Sequence, residues 1–317
     1  MGRSGSSIVS AGGCSISFEV MADIRSLWMF LCQHLPRVDY FCYNNHVYTA
    51  FFNFRIKPFT FTSDPSFLFF SEKHKQAYDS LMYGILNRVG FIEITGEVGS
   101  GKTTLCRALL NALPPTVKTA YIFHSHMTES QLLQTIMTDL GLPTAKKSRH
   151  ALFNDLNLYL IEQLRVDHNV VIILDEAQNF PVRLLEHIRM LSNLETEKEK
   201  LMQIILVGQP ELRQKLQLPE LRQLRQRVAV RYHLAALTAD ETTQYIHHRL
   251  RLAGCAQPQE LFPEELCALA HRYSGGIPRM INSVCDKALL SGYVRGVQKL
   301  STAQVEEAIE ELEEIKA

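Results

Sequence analysis

Residues 96–103 read Gly96-Glu97-Val98-Gly99-Ser100-Gly101-Lys102-Thr103, a Gly-x-x-x-x-Gly-Lys-Thr pattern. The apolar run at 91–95 is typical of a buried strand, and a helical periodicity of apolar residues follows the pattern. Glycines let the backbone bend so that successive N–H groups face a bound anion. Because strand, glycine-rich turn and helix N-terminus occur in that order, the pattern is a P-loop, and it predicts binding of a triphosphate.

The residues of this loop and the first turn of its helix have expected roles. Lys102 should reach the β- and γ-phosphates, and the hydroxyl of Thr103 should ligate Mg²⁺. The predicted ligands are therefore a nucleoside triphosphate and Mg²⁺. A chance match in a glycine-rich turn is the alternative, and the flanking strand and helix argue against it. The expected nucleotide-binding residues are Gly96, Glu97, Val98, Gly99, Ser100, Gly101, Lys102, Thr103 and Thr104.

A second motif is the apolar run at 170–174, which ends in Asp175 and Glu176. Five consecutive apolar residues indicate a central parallel strand that is buried on both faces. Ligands bind at the carboxyl edge of such a sheet, so we expect Asp175 to hold Mg²⁺ and Glu176 to polarise a water molecule. The alternative, two solvated acids at a strand end or helix N-cap, loses weight beside a P-loop.

Composition excludes some classes of protein. The chain has 33 basic and 33 acidic residues among 317, so no basic excess indicates nucleic-acid binding. Its 7 cysteines are scattered without a Cys-x-x-Cys pair, which favours neither a zinc site nor disulfides and fits a reducing cytoplasm. No apolar run reaches the roughly 18–20 residues that a transmembrane helix needs.

The order of predicted elements divides the chain into three parts. Residues 1–46 are Gly/Ser-rich at the start and lack periodicity, so we expect a disordered or non-native extension. Residues 47–236 alternate predicted strands and helices, which indicates an α/β domain with a parallel, doubly wound sheet. Residues 237–317 carry only helical patterns and predict a small all-α module.

Three polar side chains outside these motifs are further candidates. Gln209 follows an apolar strand and is predicted to lie beside the carboxylates; a turn residue is the alternative. Arg227, with Arg225 as alternate, is predicted to act on the phosphates of a neighbouring subunit, against an ordinary solvated helix. Arg279 follows Gly-Gly-Ile-Pro and is predicted to fold over the phosphates, against a surface arginine at a helix start.

The order of these motifs resembles an AAA+ ATPase, which has a three-layer αβα P-loop domain with a parallel sheet and a small helical lid. The chain more narrowly resembles the general secretion pathway protein A (ExeA/GspA) family, which includes the pilus-biogenesis ATPase MshM and exosortase-associated ATPases. The resemblance covers roughly residues 47–316. The similar blocks are Pro58-Phe59 with Asp64-Pro65, Leu81-Met82-Tyr83-Gly84-Ile85, the P-loop, Leu174-Asp175-Glu176-Ala177-Gln178 and Val207-Gly208-Gln209-Pro210-Glu211-Leu212.

The resemblance implies a cytoplasmic ATP hydrolase, in which 47–236 binds nucleotide and 237–317 is the lid. It implies a homo-oligomer, with a hexameric ring as one form, and a protein partner in a bacterial secretion, pilus or exopolysaccharide-export machine. Longer family members carry a transmembrane helix and a peptidoglycan-binding domain; this chain is expected to be of the short type, reaching the inner membrane only through partners. Two alternatives stay open: a DNA-linked AAA+ protein, and an ATP-gated scaffold with little turnover.

Overall fold

The structure is a computed structural model that describes residues 47–145, 147–195 and 199–314. The expectation of a disordered extension at 1–46 lies outside the described residues. The strands are β1 (Phe91–Gly96), β2 (Val117–Ile122), β3 (Asn169–Leu174), β4 (Gln203–Gly208) and β5 (Val228–Leu234). The helices are α1 (Val47–Phe51), α2 (Glu72–Leu86), α3 (Lys102–Ala112), α4 (Glu129–Asp139), α5 (Arg149–Arg165), α6 (Val182–Leu191), α7 (Pro210–Leu216), α8 (Arg222–Arg227), α9 (Ala239–Leu252), α10 (Pro258–Leu261), α11 (Glu264–Ser274), α12 (Pro278–Val294) and α13 (Thr302–Glu314).

The strands form one parallel sheet in the order β2-β3-β4-β1-β5, as the alternation of strands and helices predicts. The predicted fold class is thereby confirmed. The edge strand β2 ends at Ile122. Ile122 pairs with Leu174, the last residue of β3, and β2 has no further strand to pair with.

Alternate residues of the central strands feed two hydrophobic cores, because successive side chains of a strand point to opposite faces. In β3, Val170, Ile172 and Leu174 pack with helices α4 to α7, while Val171 and Ile173 pack with α2 and α3. Each of the strands β1, β3 and β4 has six residues, and all of them are buried. The sheet is therefore the middle layer between two layers of helices.

A third hydrophobic core holds the helices from α9 to α13, which we call the helical region. The segment before the sheet contributes to this core as well: Tyr48, Phe54 and Phe59 are buried in it. Arg249 of α9 fixes this segment, since its Nε donates to the carbonyl of Pro58 at 2.6 Å. The division at residue 236 stays a proposal, and in the structure the residues around 48–59 pack with the helical region.

Two local features fix the chain near the P-loop: the start of α2 and the connection that follows β5. Ser71 caps α2, and its Oγ accepts the backbone N–H of His74 at 3.2 Å. Leu237 lies in the connection between β5 and the helical region. Its N–H donates to the carbonyl oxygen of Gly276 at 2.9 Å. Gly276 has φ of 75°, and a Cβ there would lie 2.0 Å from the carbonyl oxygen of Leu237, so only glycine fits. Among the described helices, none has the length and apolar character to cross a membrane.

Candidate nucleotide-binding site

The sheet brings the predicted motifs to one edge. β1 ends in the P-loop, β3 ends just before Asp175, and β4 ends just before Gln209. The parallel register pairs Leu174 with Leu206 and Thr95 with Gly208, so β3 ends two residues before β4, and all three strands end at the same edge. Carboxyl ends of parallel strands are where ligands bind in such sheets.

The P-loop has a backbone that only glycine adopts readily at two positions. Gly99 has φ of 80° and Gly101 has φ of 98°. Lys102, the first residue of α3, is buried, and its Nζ donates to the carbonyls of Gly96 at 2.7 Å and Glu97 at 2.9 Å. Burial lowers the pKa of the Lys102 ammonium, and the carboxylates of Glu176 and Asp175 oppose that shift. The ammonium therefore lies against its own loop and near both acids.

Asp175 and the P-loop helix are in direct contact. The hydroxyl of Thr103 donates to Asp175 Oδ2 at 3.0 Å, and Asp175 is only 3% exposed. The hydroxyl of Tyr121, on β2, donates to the same oxygen. Burial and the neighbouring Asp175 carboxylate raise the pKa of Tyr121, so the phenol stays protonated and remains a donor. The arrangement collects oxygen atoms, the ligands that Mg²⁺ prefers, at one point.

Glu176 is held by amide groups from two strand ends. Its Oε2 accepts Gln178 Nε2 at 2.6 Å and Gln209 Nε2 at 3.1 Å. Gln178 Oε1 in turn accepts the backbone N–H of Gln209 at 3.0 Å, which closes the network. Glu176 has φ of 53°, a left-handed conformation that is uncommon for residues other than glycine. Such backbone is found often at functional sites, where the surrounding contacts hold it in place.

The helical region approaches the P-loop from the other side. The backbone N–H of Arg279, near the start of α12, donates to the carbonyl of Gly99 at 3.2 Å. A Cβ on Gly99 would lie 2.4 Å from Cβ of Arg279, so glycine is needed for this approach as well as for the turn. Arg279, Lys102, Thr103 and Glu176 line one cavity. Residues 60–64 and two side chains of α9, Tyr245 and Arg249, line the same cavity.

The arginines of α8 lie elsewhere. Arg227 donates to Ser192 Oγ at 2.8 Å, and Arg225 donates to Gln217 Oε1. Neither belongs to the described side chains that line the P-loop cavity. The structure thus brings Glu176, Gln209, Lys102, Arg279, Thr103 and Asp175 together, and it does not bring Arg227 to the cavity of its own chain.

Sequence reasoning missed three side chains of this site. Gln178 lies in one of the similar blocks and received no predicted role, although an amide two residues after Glu176 was a usable signal. Tyr121 and His74 had no usable signal, because their contacts to Asp175 and Ser100 join positions far apart in the chain. A linear pattern does not encode such contacts.

Comparison with known proteins gives concordant results. A protein family described as AAA domain matches residues 86–216. General secretion pathway protein A of Aeromonas hydrophila is 41% identical over 271 residues, which are 85% of this chain and 49% of that protein. The chain therefore spans about half the length of this relative.

Solved structures with the same fold are more distant in sequence. The Aeropyrum pernix ORC2 protein has a TM-score of 0.61 and 20% identity, over 81% of this chain and 72% of that one. Drosophila ORC bound to DNA has a TM-score of 0.62 and 15% identity, over 91% and 74%. The RuvB branch migration motor of Thermotoga maritima has a TM-score of 0.53 and 16% identity, over 76% and 69%. At these identities the likeness establishes the fold alone.

Together, the parallel sheet, the P-loop, the acidic strand end and the helical region define a AAA+ ATPase, a class of nucleotide-binding proteins. Within that class, the chain belongs to the general secretion pathway protein A family.

Proposed function

We propose that the chain binds ATP with Mg²⁺ in the P-loop cavity and hydrolyses it. One observation carries the proposal: the P-loop, both acids of the β3 end and Arg279 line or border a single cavity. The residues from Gly96 to Thr104 would surround the phosphates with backbone N–H groups, above the positive end of α3.

The residues beside the P-loop fit a magnesium ion. Thr103 Oγ1 and Asp175 Oδ2 are hard oxygen ligands 3.0 Å apart, and Asp175 is buried beside the loop that would hold the phosphates. When bound, Mg²⁺ would neutralise charge on the phosphate oxygens. Thr103 and Asp175 would hold the ion, Asp175 through its hydration shell.

Glu176 is the proposed general base. Its carboxylate would take a proton from a water molecule that attacks the γ-phosphate in line with the leaving group. The amides of Gln178 and Gln209 fix this carboxylate, since both donate to the same oxygen. Gln209 would also sense the γ-phosphate. Its side-chain amide is hydrogen-bonded to Glu176, and a phosphate oxygen would compete for the same N–H group.

Two arginines would respond to the phosphates from different directions. Arg279 is at the cavity and would bind them within the same chain, moving the helical region as the nucleotide changes. Arg227, or Arg225, would reach a neighbouring subunit, which requires an oligomer such as a hexameric ring. Residues 47–236 and 237–317 would be the nucleotide-binding and lid domains of this motor.

The process served by hydrolysis is proposed from the family. The relative's name, General secretion pathway protein A, supports remodelling or assembly of a bacterial secretion machine. A pilus or exopolysaccharide-export machine fits the same type of motor. The proposed place is the cytoplasm, at the inner membrane through a protein partner.

A DNA-linked role is the second candidate, since the fold is shared with ORC proteins and RuvB. These neighbours do not favour it, because their identity to this chain is 20% and 16%. The equal numbers of basic and acidic residues also argue against it. DNA binding that is stimulated by ATP and weakened by salt would support this role instead.

Two variants test the proposed activity. Lys102→Ala should weaken ATP binding, since the ammonium that would pair with the phosphates is lost. Glu176→Gln should keep ATP binding but lower turnover by about a hundredfold or more, the contribution typical of a general base. Unchanged turnover in Glu176→Gln would favour the ATP-gated scaffold, and unchanged ATP affinity in Lys102→Ala would remove the phosphate site. Assembly of the bacterial secretion machine in cells whose only copy of the protein is Glu176→Gln tests the proposed role in secretion.

A further inference from the structure

His74 is a buried histidine that the proposed mechanism does not use. It lies in the first turn of α2, is 3% exposed and borders the P-loop cavity. Its Nδ1 is 2.8 Å from Ser71 Oγ, and its Nε2 is 3.1 Å from the carbonyl oxygen of Ser100. Both ring nitrogens are therefore engaged, one with a helix cap and one with the P-loop backbone.

These partners determine which ring nitrogen carries the proton. A carbonyl oxygen only accepts hydrogen bonds, so Nε2 of His74 must be the donor to Ser100. Nδ1 of the neutral ring is then an acceptor, and the hydroxyl of Ser71 donates to it. Ser71 Oγ still accepts the backbone N–H of His74 at 3.2 Å, so each group has a consistent role.

The bond to Ser100 also orients the next residue. In a planar trans peptide, the carbonyl of Ser100 and the N–H of Gly101 point in opposite directions. Because His74 holds the carbonyl, the N–H of Gly101 points away from His74. Gly101 itself has φ of 98°, and a Cβ there would lie 3.3 Å from Nε2 of His74. The ring therefore fixes the peptide at which the loop turns into α3.

The histidine is on a rigid support. Helix α2 buries Ala77, Leu81 and Ile85 in the core beneath the sheet. Its first turn is also tied to β5, because the hydroxyl of Tyr232 donates to the carbonyl of Lys73 at 2.8 Å. The position of Nε2 is thus set by the packed layer and not by the loop that it contacts.

We propose that His74 is a positioning residue for phosphate binding: as a neutral donor from Nε2 to Ser100, it turns the Gly101 N–H toward the bound triphosphate. This inference rests on the proposed nucleotide-binding function. Its role is in affinity, because the contact shapes the loop that holds the phosphates and does not touch Glu176. The low exposure of the ring agrees with this role, since burial lowers the pKa of His74 and keeps the imidazole neutral.

The first test compares His74→Gln with His74→Leu. The glutamine amide can place a donor near the position of Nε2, whereas leucine has similar bulk and no donor. We expect His74→Leu to bind ATP about tenfold more weakly, the usual effect of one hydrogen bond, and His74→Gln to retain most of the affinity. Turnover at saturating ATP should stay near the wild-type value in both. Equal loss in both variants, or no loss in His74→Leu, would overturn the proposal.

A second variant keeps the test decisive if His74→Leu does not fold. Ser71→Asp retains a helix cap, but the introduced carboxylate needs a proton on Nδ1 and so draws it from Nε2. ATP affinity relative to wild type should fall at pH 8 and recover at pH 6, where a doubly protonated ring donates to both partners. Among the described residues, Glu241 of α9 also acts on this ring and favours its protonation. A ratio that does not change with pH would overturn the proposal.

Failure of this inference is separable from failure of the proposed function. Lys102→Ala tests whether the P-loop binds ATP at all. If Lys102→Ala weakens binding and the His74 variants do not, the nucleotide site stands and only the role of His74 is lost. If wild-type protein does not bind ATP, both fail.

Discussion

The P-loop is contacted on two sides, and the two sides differ in kind. On the strand side, the contacts join side chains to charged side chains: Thr103 and Tyr121 to Asp175, and two glutamines to Glu176. On the helix side, the contacts go to the backbone of the loop itself. The N–H of Arg279 binds the Gly99 carbonyl, and His74 binds the Ser100 carbonyl.

This difference separates two tasks. Carboxylates held by neutral donors are suited to the chemistry at the γ-phosphate, so the strand side should control turnover. Contacts that hold the shape of the loop should control nucleotide affinity, because the loop's N–H groups would bind the phosphates in the ground state as well as during reaction. Variants on the two sides should therefore change different kinetic constants.

The largest effect is expected on the strand side. Asp175→Asn removes the charge that would hold Mg²⁺ while keeping the shape of the side chain, so turnover should fall by about a hundredfold or more. Turnover is measured over a titration with MgCl₂. Tyr121→Phe is the matched control, since it removes one donor to Asp175 and keeps the carboxylate. If both variants behave alike, Asp175 has no special relation to the metal.

A smaller effect, on affinity, is expected on the helix side. Arg279→Ala removes the guanidinium at the cavity and should weaken ATP binding by about 10- to 100-fold, with turnover at saturation much less affected. Equilibrium binding of a fluorescent ATP analogue measures this. Arg272→Ala, at an exposed position on α11, should leave affinity unchanged. A loss confined to turnover would place Arg279 among the catalytic groups and break the comparison.

Gln178 provides a moderate effect on turnover. Gln178→Ala removes the 2.6 Å donor to Glu176 and the acceptor for the Gln209 N–H. We expect turnover to fall about tenfold, because the carboxylate loses one of its two amide donors, with ATP affinity preserved. Gln214→Ala replaces an exposed glutamine on α7 and is the matched control, which should keep wild-type turnover. Unchanged turnover would show that Gln209 alone positions Glu176.

The smallest effect concerns stability and pH. Burial lowers the pKa of His74 in the folded protein, so the unfolded chain takes up this proton at a higher pH than the folded chain. The stability due to the neutral ring is complete above the unfolded pKa of about 6.5 and is lost as pH falls through the folded pKa. As the pH falls below 6.5, the free energy of unfolding of wild type should therefore decrease by up to about 1.4 kcal/mol per pH unit more than that of His74→Gln. The free energy of unfolding is measured by denaturant titration at several pH values. The same pH dependence in wild type and His74→Gln would contradict this prediction.

Much of the fold was predictable because its signals are local. The segments that became β1, β3 and β4 are buried along their whole length, and the mainly apolar runs of β3 and β4 are typical of central parallel strands. The P-loop and the Asp-Glu pair identified two strand ends. Parallel pairing then places those ends at one edge without further information.

The rest depends on contacts across the chain. Lys102 lies on carbonyls of its own loop, an arrangement that reflects the loop geometry and not the motif. His74 reaches Ser100 only because α2 packs under the sheet beside β5. The packing of Tyr48 and Phe54 into the helical region is equally non-local, so no local sequence pattern predicts it.

The most direct test is a crystal structure with Mg²⁺ and a non-hydrolysable ATP analogue. The triphosphate should lie between residues 96–104 and the Asp175–Glu176 pair, with the ammonium of Lys102 moved from the carbonyls of Gly96 and Glu97 to the phosphates. A nucleotide bound elsewhere, or a bound nucleotide with Lys102 still on those two carbonyls, would contradict the account.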